Sequence, residues 1–362
     1  MNTLFKKYSI GGYSQVEHFP ETACVPHLER EVAATVSTSA KRCGIILAGG
    51  EGRRLIPFIL RLRGEVLPKQ YVNFIGSRSM LEHTLLRAGR LMPPERLFIV
   101  VNQHHLAHAE VRRQLSGRPR GTVVVQPENK ETGPGLILPL LHVYRRYPDS
   151  TVTIFPSDHF IVGEEHFMAH VELACQEVEQ HPSFVVMLGI EPSGPETEYG
   201  YILSRKETQE RAPRIIRRVA RFIEKPECHI ARELIQRGGL WNSMVITFKI
   251  KTMLDLIERT APLLHSSFEQ IREVVGTWRE TNVVRESYAK MKAVNFSKEV
   301  LEAIPPDHSA PLLVLPVRGV FWSDWGSEER ISSVIRRRVF NDDTLHQFGG
   351  QTPRFVNSLS SG

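Results

Sequence analysis

A glycine-rich segment, LAGGEGRRL over residues 47–55, directly follows the first apolar run of the chain. Because glycine has no Cβ, backbone N–H groups around Gly49, Gly50 and Gly52 can approach a polyphosphate that larger side chains would hold off. The spacing is neither GxGxxG nor GxxxxGK[ST], which disfavours a dinucleotide-binding dehydrogenase and a P-loop NTPase. On local sequence alone, a phosphate-binding loop and a plain tight turn are equally good interpretations.

Basic and acidic residues elsewhere in the chain could complete a phosphate site. Arg54 lies at the end of the glycine-rich segment and Lys69 follows a proline; both could hold phosphates, although each alone is more often a solvated surface cation. Asp158 follows a predicted strand, at the edge where open α/β sheets bind ligands, and Asp324 lies in a WSDWG segment. Two carboxylates could bind Mg²⁺, whereas a single Asp after a strand is more often a helix cap.

A series of motifs follows the order that is typical of one enzyme family. The motifs are LAGGEGRRLIP, LPKQYVNFIG, FPSDH (155–159), YGYI (199–202), FIEKP (222–226), LWNS (240–243), NFSKEVLE (295–302) and WSDWG (322–326). The sequence thereby resembles the sugar nucleotidyltransferases, and within them it looks most like the mannose-1-phosphate guanylyltransferases. The resemblance implies a metal-dependent reaction in which GTP and mannose 1-phosphate give GDP-mannose and pyrophosphate.

The resemblance also implies roles for individual residues. It places Arg54, Lys69, Asp158 and Asp324 in catalysis, with Asp158 and Asp324 as the Mg²⁺ ligands. It assigns the nucleotide to Leu47, Ala48, Gly49, Gly50, Gly52, Arg53, Gln126, Glu131 and Thr132, and the sugar phosphate to Gly200, Tyr201, Glu224, Lys225 and Asn242. Local sequence alone would instead favour an exposed lysine in a turn at Lys225 and a capping residue at Asn242. Phosphoryl transfer needs little covalent work by the protein, so we expect cations and a metal rather than a nucleophilic Ser or Cys.

Several positions depart from the family pattern. The segment QPENKETGPG (126–135) stands where the family has EPxxRNTAPA, and Glu131 or Glu128 in it could accept hydrogen bonds from guanine. Arg53 replaces a usual Thr or Ser, and Glu198 and Met244 replace glycines. Two alternatives therefore stay open. The chain could be a related nucleotidyltransferase that uses another base or another hexose phosphate, or a catalytically silent homologue that binds GDP-mannose and regulates a partner. The presence of both Asp158 and Asp324 argues against such a silent homologue.

The composition is that of an ordinary globular protein. The 362 residues carry a net charge of +6 and are 41% apolar and 24% charged, which excludes whole-chain disorder and a coiled-coil rod. The apolar runs are too short for a membrane helix, no secretory signal is evident, and the basic residues are not interleaved with aromatic ones as in a nucleic-acid binder. The four cysteines lie far apart, so a cytoplasmic location is expected. A homo-oligomer is compatible with the sequence.

Alternating strand and helix patterns must position these residues. Short β-branched runs predict strands at 43–47, 97–101, 122–125, 151–155, 184–188 and 312–317, and looser patterns predict further strands at 199–203, 219–223 and 244–248 beside the main sheet. Ser79 and Glu82 have the spacing of a capping box, and 328–339 predicts a closing helix. The fold class is therefore α/β and, by resemblance, Rossmann-like, with a mostly parallel mixed sheet flanked by helices and an inserted sugar-binding β region.

The same patterns suggest how the chain is divided. We expect an N-terminal extension at 1–41, a catalytic domain at 42–345 and a frayed tail at 346–362. The short tail leaves no room for the cupin or β-helix domain that many relatives append, which predicts a transferase without a fused isomerase.

Overall fold

The computed structural model describes residues 41–205, 215–305 and 311–336. The expected extension, apart from Lys41, and the expected tail lie outside these ranges. Eleven strands form within them: β1 (Arg42–Leu47), β2 (Leu97–Asn102), β3 (Val123–Gln126), β4 (Thr151–Pro156), β5 (Phe160–Val162), β6 (Val185–Ile190), β7 (Tyr201–Ser204), β8 (Arg217–Ile223), β9 (Leu240–Lys249), β10 (Leu312–Val317) and β11 (Phe321–Ser323).

Nine of these strands form one mixed sheet in the order β3-β2-β1-β4-β9-β6-β10-β8-β7. Strands β3, β2, β1 and β4 are parallel, as are β6 and β10, whereas β9 runs antiparallel to both of its neighbours β4 and β6. Strands β5 and β11 pair separately. The predicted α/β fold with a mostly parallel mixed sheet is confirmed.

The placement of β9 corrects one expectation. The run at 244–248 was expected beside the main sheet, but it belongs to a strand that starts at Leu240 and lies in the middle of that sheet. Nearly every residue of β9 is buried, including the alternate positions Ile246 and Phe248 on one face and Thr247 on the other. A strand that is covered on both faces belongs in the interior of a sheet rather than at its edge.

Helices cover both faces of the sheet. They are α1 (Ile56–Arg63), α2 (Met80–Ala88), α3 (Ala109–Leu115), α4 (Thr132–Arg146), α5 (Glu164–Gln180), α6 (Cys228–Gln236), α7 (Ile250–Thr260), α8 (Pro262–Val274), α9 (Glu280–Lys290) and α10 (Glu328–Arg336). The capping box before α2 is confirmed, because Ser79 Oγ accepts from the Glu82 N–H (3.1 Å) and Glu82 Oε2 accepts from the Ser79 N–H (2.7 Å). Among the described residues, no helix has both the length and the apolar character needed to cross a membrane.

Alternate residues of the strands form two hydrophobic cores, one on each face of the sheet. Ile46 and Phe155 pack in a cluster with residues of α2 and α5, whereas Ile45 and Ile154 pack in a second cluster with residues of α4, α7 and α8. Successive side chains of a strand point to opposite faces, so one apolar run supplies both cores. This packing holds the carboxyl ends of β1 and β4 side by side.

A buried ion pair joins α2 to the start of α5, and its loss is expected to destabilise the fold. The side chains of Arg87 and Glu164 are only 2% and 7% exposed, and Arg87 Nη1 lies 3.0 Å from Glu164 Oε1. Replacing Glu164 with Gln leaves the guanidinium buried without its counter-charge. We expect a loss of about 3 kcal/mol in the free energy of unfolding, measured by urea denaturation.

Glu165→Gln is the matched control for this prediction. Glu165 occupies the same turn and lies 3.3 Å from Arg90, but its side chain is 85% exposed. An exposed pair contributes about 0–1 kcal/mol, so this variant should unfold at nearly the same urea concentration as the unaltered chain. Equal stability of the Glu164 and Glu165 variants would show that the buried charge is not what holds these helices together.

Candidate active site

The glycine-rich segment and Asp158 leave the sheet at neighbouring strand ends. In the register of β1 and β4, Leu47 lies opposite Pro156, and both the N–H and the Oγ of Ser157 donate to the Leu47 carbonyl (3.2 and 2.7 Å). In the strand order, β2 and β3 follow on one side of β1, and β4 lies next to β1 on its opposite side. Such a reversal of strand order opens a crevice at the carboxyl edge, where open α/β sheets bind ligands.

Two amide side chains orient the peptide groups of the glycine-rich loop. Gln70 Nε2 donates to the carbonyls of Ala48 (2.7 Å) and Gly50 (2.9 Å), and Asn102 Nδ2 donates to the carbonyl of Gly49 (2.7 Å). In a trans peptide the N–H points opposite to the C=O, so the N–H groups that follow these three carbonyls point away from the two amides. The loop thereby presents a row of backbone donors of the kind that binds phosphate. Neither role was predicted from the sequence, although Gln70 lies in the LPKQYVNFIG motif.

The first two residues assigned to the nucleotide lie within the sheet rather than in the loop. The Ala48 N–H donates to the Val100 carbonyl on β2 (2.9 Å), and the Leu47 carbonyl bonds to Ser157. The backbone donors of the loop therefore begin at Gly49. A Cβ on Gly49 would lie 2.5 Å from Gln126 Nε2, so a larger residue there would force the buried Gln126 side chain to move.

Lys69 connects the Asp158 carboxylate to the main chain at Asp324. Its Nζ lies 2.8 Å from Asp158 Oδ2 and 3.1 Å from the main-chain carbonyl oxygen of Asp324. Burial by itself would raise the pKa of Asp158, but Lys69 and His159 together lower it by more, and the pKa of Asp158 lies below its usual value. Lys69, Asp158 and the main chain at Asp324 are thus brought together, although they are far apart in sequence.

The Asp324 side chain is held by residues to which the sequence assigned no role. Its Oδ1 accepts hydrogen bonds from Tyr199 Oη (2.8 Å), Arg330 Nη1 (2.9 Å) and the Gly326 N–H (3.1 Å). Arg330 also pairs with Glu196 at 2.7 Å and lies over the Tyr199 ring. Burial and the adjacent carboxylate raise the pKa of Tyr199, so its hydroxyl stays protonated and donates. Tyr199 and Asp324 belong to two different motifs, and no motif includes Arg330 or Glu196.

The oxygen atoms around Lys69 suit a hard divalent cation. The Asp158 carboxylate and the carbonyls of Asp324 and Trp325 already surround one positive charge, with the Trp325 oxygen 3.5 Å from Lys69 Nζ. Within the described residues, Asp324 Oδ2 accepts one hydrogen bond, from Arg330 Nη1 at 3.2 Å. Carboxylate and carbonyl oxygens are the ligands that Mg²⁺ prefers. These residues therefore fit the expected metal.

The two arginines of the glycine-rich segment are exposed. Arg54 Nη1 lies 2.6 Å from Glu198 Oε2, which connects this segment to the chain that precedes β7. Arg53 is exposed beside it. Both guanidinium groups are therefore on the solvent side of the loop, where a phosphate could meet them.

Lys69, Asp158 and Asp324 form a first cluster. Four of the five residues predicted to bind the sugar phosphate form a second cluster next to Tyr199: Gly200, Glu224, Lys225 and Asn242. The Asn242 N–H donates to the Gly200 carbonyl (2.8 Å), and a Cβ on Gly200 would lie 2.7 Å from Glu224 Oε2. The Lys225 N–H donates to the Tyr199 carbonyl (3.2 Å), and burial raises the pKa of Glu224. Tyr199 contacts both clusters, so the metal-binding and sugar-binding candidates are adjacent.

Other predicted residues lie inside the protein or outside both clusters. Tyr201 is fully buried and its hydroxyl donates to the Glu196 carbonyl (3.0 Å). Gln126 is also buried and donates to Asn102 Oδ1 (2.6 Å), so it contacts the loop through the side chain that orients it. Thr132 Oγ1 accepts from the Phe296 N–H (2.9 Å). Glu131 is exposed at the start of α4. Roles for these residues in nucleotide binding stay predictions.

Backbone strain is concentrated in the same motifs. Within the described ranges, four non-glycine residues have a positive φ: Glu131 (68°), Lys225 (47°), Met244 (55°) and Trp325 (44°). Positive φ is costly for residues with a Cβ, and such strain accumulates at functional sites. Met244 occupies a position where the family usually has glycine, so the left-handed backbone is retained although the residue that favours it is replaced.

Comparison with known proteins identifies the family of this chain. Residues 43–336 match the nucleotidyl transferase family. The chain belongs to that family. The match contains both carboxylates and both clusters, and it confirms the resemblance inferred from the motifs.

Similar proteins include enzymes whose names specify mannose 1-phosphate. The chain is 30% identical over 287 residues to the xanthan biosynthesis protein XanB of Xanthomonas campestris, covering 78% of this chain and 57% of that protein. It is 28% identical over 286 residues to the mannose-1-phosphate guanylyltransferase of Escherichia coli K12, with the same two shares. The aligned part thus spans less than three fifths of these curated relatives.

A solved structure supports the same family fold. The crystal structure of mannose-1-phosphate geranyltransferase from Thermus thermophilus superposes with a TM-score of 0.67 at 27% identity, covering 81% of this chain and 79% of that chain. The two chains therefore share their fold over most of their lengths.

Proposed function

We propose that this chain transfers the GMP unit of GTP to mannose 1-phosphate and forms GDP-mannose and pyrophosphate. The observation that carries the proposal is the contact of Lys69 Nζ with Asp158 Oδ2 (2.8 Å) and the Asp324 carbonyl (3.1 Å) beside the glycine-rich loop. This arrangement concentrates hard oxygen ligands and a positive charge where the loop N–H groups would hold a polyphosphate. The name of one similar protein, the mannose-1-phosphate guanylyltransferase of Escherichia coli, favours the same reaction.

The proposed reaction is an in-line displacement at phosphorus. An oxygen of the sugar phosphate forms a bond to the α-phosphorus of GTP, and the bond from that phosphorus to the bridging oxygen breaks as pyrophosphate leaves. Both substrates are anions, so the site must offset their repulsion and hold them aligned. Mg²⁺, held by Asp158 and Asp324, would supply positive charge between the two phosphates. Lys69 keeps Asp158 ionised for that role.

The remaining residues of the two clusters would bind and orient the substrates. The N–H groups that begin at Gly49, together with Arg53 and Arg54, hold the triphosphate. Lys225 binds the phosphate of the sugar, and Glu224 and Asn242 hydrogen-bond to sugar hydroxyls. The side chains of Glu198 and Met244, which replace family glycines, narrow the sugar pocket and determine which hexose enters.

Pyrophosphate release tests this function. The protein is supplied with each of the four NTPs and with several hexose 1-phosphates in the presence of Mg²⁺, and pyrophosphate is measured with a coupled assay. We expect turnover with GTP and mannose 1-phosphate that exceeds every other pair by at least about tenfold in kcat/KM, equivalent to about 1.4 kcal/mol.

Two other outcomes would each overturn part of the proposal. Faster turnover with another base or hexose would reassign the specificity while keeping the reaction. Tight binding of GDP-mannose, measured by calorimetry, without pyrophosphate release from any pair would instead identify a regulatory homologue that binds this nucleotide sugar.

A further inference from the structure

Three metal-ligating side chains meet beside the glycine-rich loop. Glu51 lies between Gly50 and Gly52 in the loop, and His104 and His105 follow β2. His104 Nε2 lies 3.1 Å from Glu51 Oε2, and His105 Nε2 lies 3.9 Å from Glu51 Oε1. One ligand atom from each of the three residues lies within 4.8 Å of the other two. Among the described residues, this is the one group of three or more His, Cys, Asp or Glu with such spacing.

A nitrogen of His105 points into this group without a hydrogen-bond partner. The His105 side chain is 0% exposed, and its Nε2 accepts no hydrogen bond and donates none in the described part of the chain. Leaving a buried polar atom unpaired costs about 1–3 kcal/mol. Such an atom, aimed at a carboxylate and a second imidazole, is accounted for if a ligand binds between them.

The other nitrogen of His105 is placed to set the tautomer. His105 Nδ1 lies 3.4 Å from Tyr71 Oη, and that hydroxyl donates to the Ala48 carbonyl (3.3 Å). A hydroxyl that donates its proton elsewhere can accept from Nδ1–H, and the lone pair is then on Nε2. Metal-bound histidines commonly use such a partner to fix ring orientation. The Glu51 carboxylate also has such a partner, because Asn102 Nδ2 donates a hydrogen bond to Glu51 Oε1 (2.7 Å).

We propose that Glu51, His104 and His105 bind a first-row transition metal such as Zn²⁺. Two imidazoles and one carboxylate are a usual donor set for Zn²⁺, with a water or another ligand in a fourth position. A tetrahedral ion with bonds of about 2.0–2.1 Å needs ligand atoms about 3.3 Å apart. The Glu51–His104 separation of 3.1 Å is already close to that value, and the His105 nitrogen, 3.9 Å from Glu51, would have to move closer by about 0.6 Å on binding.

This site differs in chemistry from the carboxylates of the proposed reaction. It offers nitrogen as well as oxygen, which favours Zn²⁺, Cu²⁺ or Ni²⁺ over Mg²⁺. Because Glu51 is part of the glycine-rich loop, a bound ion would join that loop to the end of β2 and would neutralise the carboxylate next to the loop donors. The inference does not depend on the proposed function, because its test measures metal binding alone.

Zn²⁺ titration in competition with a chromophoric chelator tests the site on the full-length protein. We expect one tight equivalent of Zn²⁺, and we expect His104→Ala and Glu51→Gln each to weaken it at least about 100-fold. His104 is 53% exposed, so its removal should leave the fold intact, which circular dichroism checks. Co²⁺ should show d–d absorption without a thiolate charge-transfer band, which separates this site from binding by the cysteines.

His181→Ala is the matched control. His181 is also 53% exposed and lies 3.2 Å from a glutamate, but among the described residues no second histidine completes a three-ligand group with that pair. This variant should retain the tight equivalent. Equal Zn²⁺ affinity of the unaltered chain, His104→Ala and Glu51→Gln would overturn the proposal. Failure of the unaltered chain to bind any tight equivalent of Zn²⁺ would overturn it as well.

Discussion

Replacing Asp158 with Asn is expected to lower turnover by at least about 10³-fold while the chain remains folded. The change is isosteric, but it removes the negative charge that would hold Mg²⁺ and that pairs with Lys69 at 2.8 Å. Asp324→Asn should have a comparable effect, because the amide cannot supply a second anionic ligand. The double variant should be scarcely slower than either single one, since the two carboxylates would act on one ion.

Three measurements separate this loss of function from unfolding. The turnover number is taken from pyrophosphate release at saturating substrate, the midpoint of thermal unfolding from circular dichroism, and the requirement for metal from an EDTA–Mg²⁺ titration. Asp149→Asn serves as the control, because Asp149 is an exposed aspartate outside both clusters. Near-normal turnover by both the Asp158 and Asp324 variants would refute the metal assignment.

Replacing Lys69 with Met is expected to lower kcat/KM by about 10³-fold, equivalent to about 4 kcal/mol of transition-state stabilisation. The Lys69 side chain is only 13% exposed and contacts Asp158, Asp324 and Trp325. Methionine keeps most of the packing volume but removes the ammonium that keeps these groups together and opposes the phosphate charge. Lys69→Arg should recover only part of the rate, because a planar guanidinium cannot reproduce the same three contacts.

Lys249→Met is the matched control for the loss of a lysine. Lys249 Nζ also donates to a main-chain carbonyl, that of Asp149 (3.3 Å), but it lies at the end of β9 and outside both clusters. The control should keep full kcat/KM in the pyrophosphate assay. A Lys69→Met protein that is folded and equally active would show that the ammonium contributes only to structure.

The strands and helices were largely predictable because their signals are local. Runs such as 43–47 and 151–155 are apolar and β-branched, and the Ser79–Glu82 spacing encodes a cap within one turn. Their ends agree closely with β1, β4 and α2 in the structure. The motifs likewise identified the family, since each is a short contiguous segment.

The contacts of the candidate site were less predictable because they join distant segments. Arg330 and Tyr199 hold Asp324, but no local pattern relates an arginine in α10 to a tyrosine before β7. Gln70 and Asn102 orient the glycine-rich loop from two separate segments. Gln70 lies in the LPKQYVNFIG motif but was assigned no role there, and Asn102 lies in none of the motifs. Their roles depend on the positions that the packed sheet assigns to them.

The sequence by itself determined the α/β class, the family and the position of the glycine-rich loop directly after a strand. Only the tertiary structure decided that β9 lies in the middle of the sheet, that Lys69 lies between Asp158 and Asp324, and that His105 faces Glu51. The physical reason is the range of the interactions. Periodicity, capping and turn preference act over a few residues, whereas strand order and side-chain partners depend on how two cores pack against one sheet.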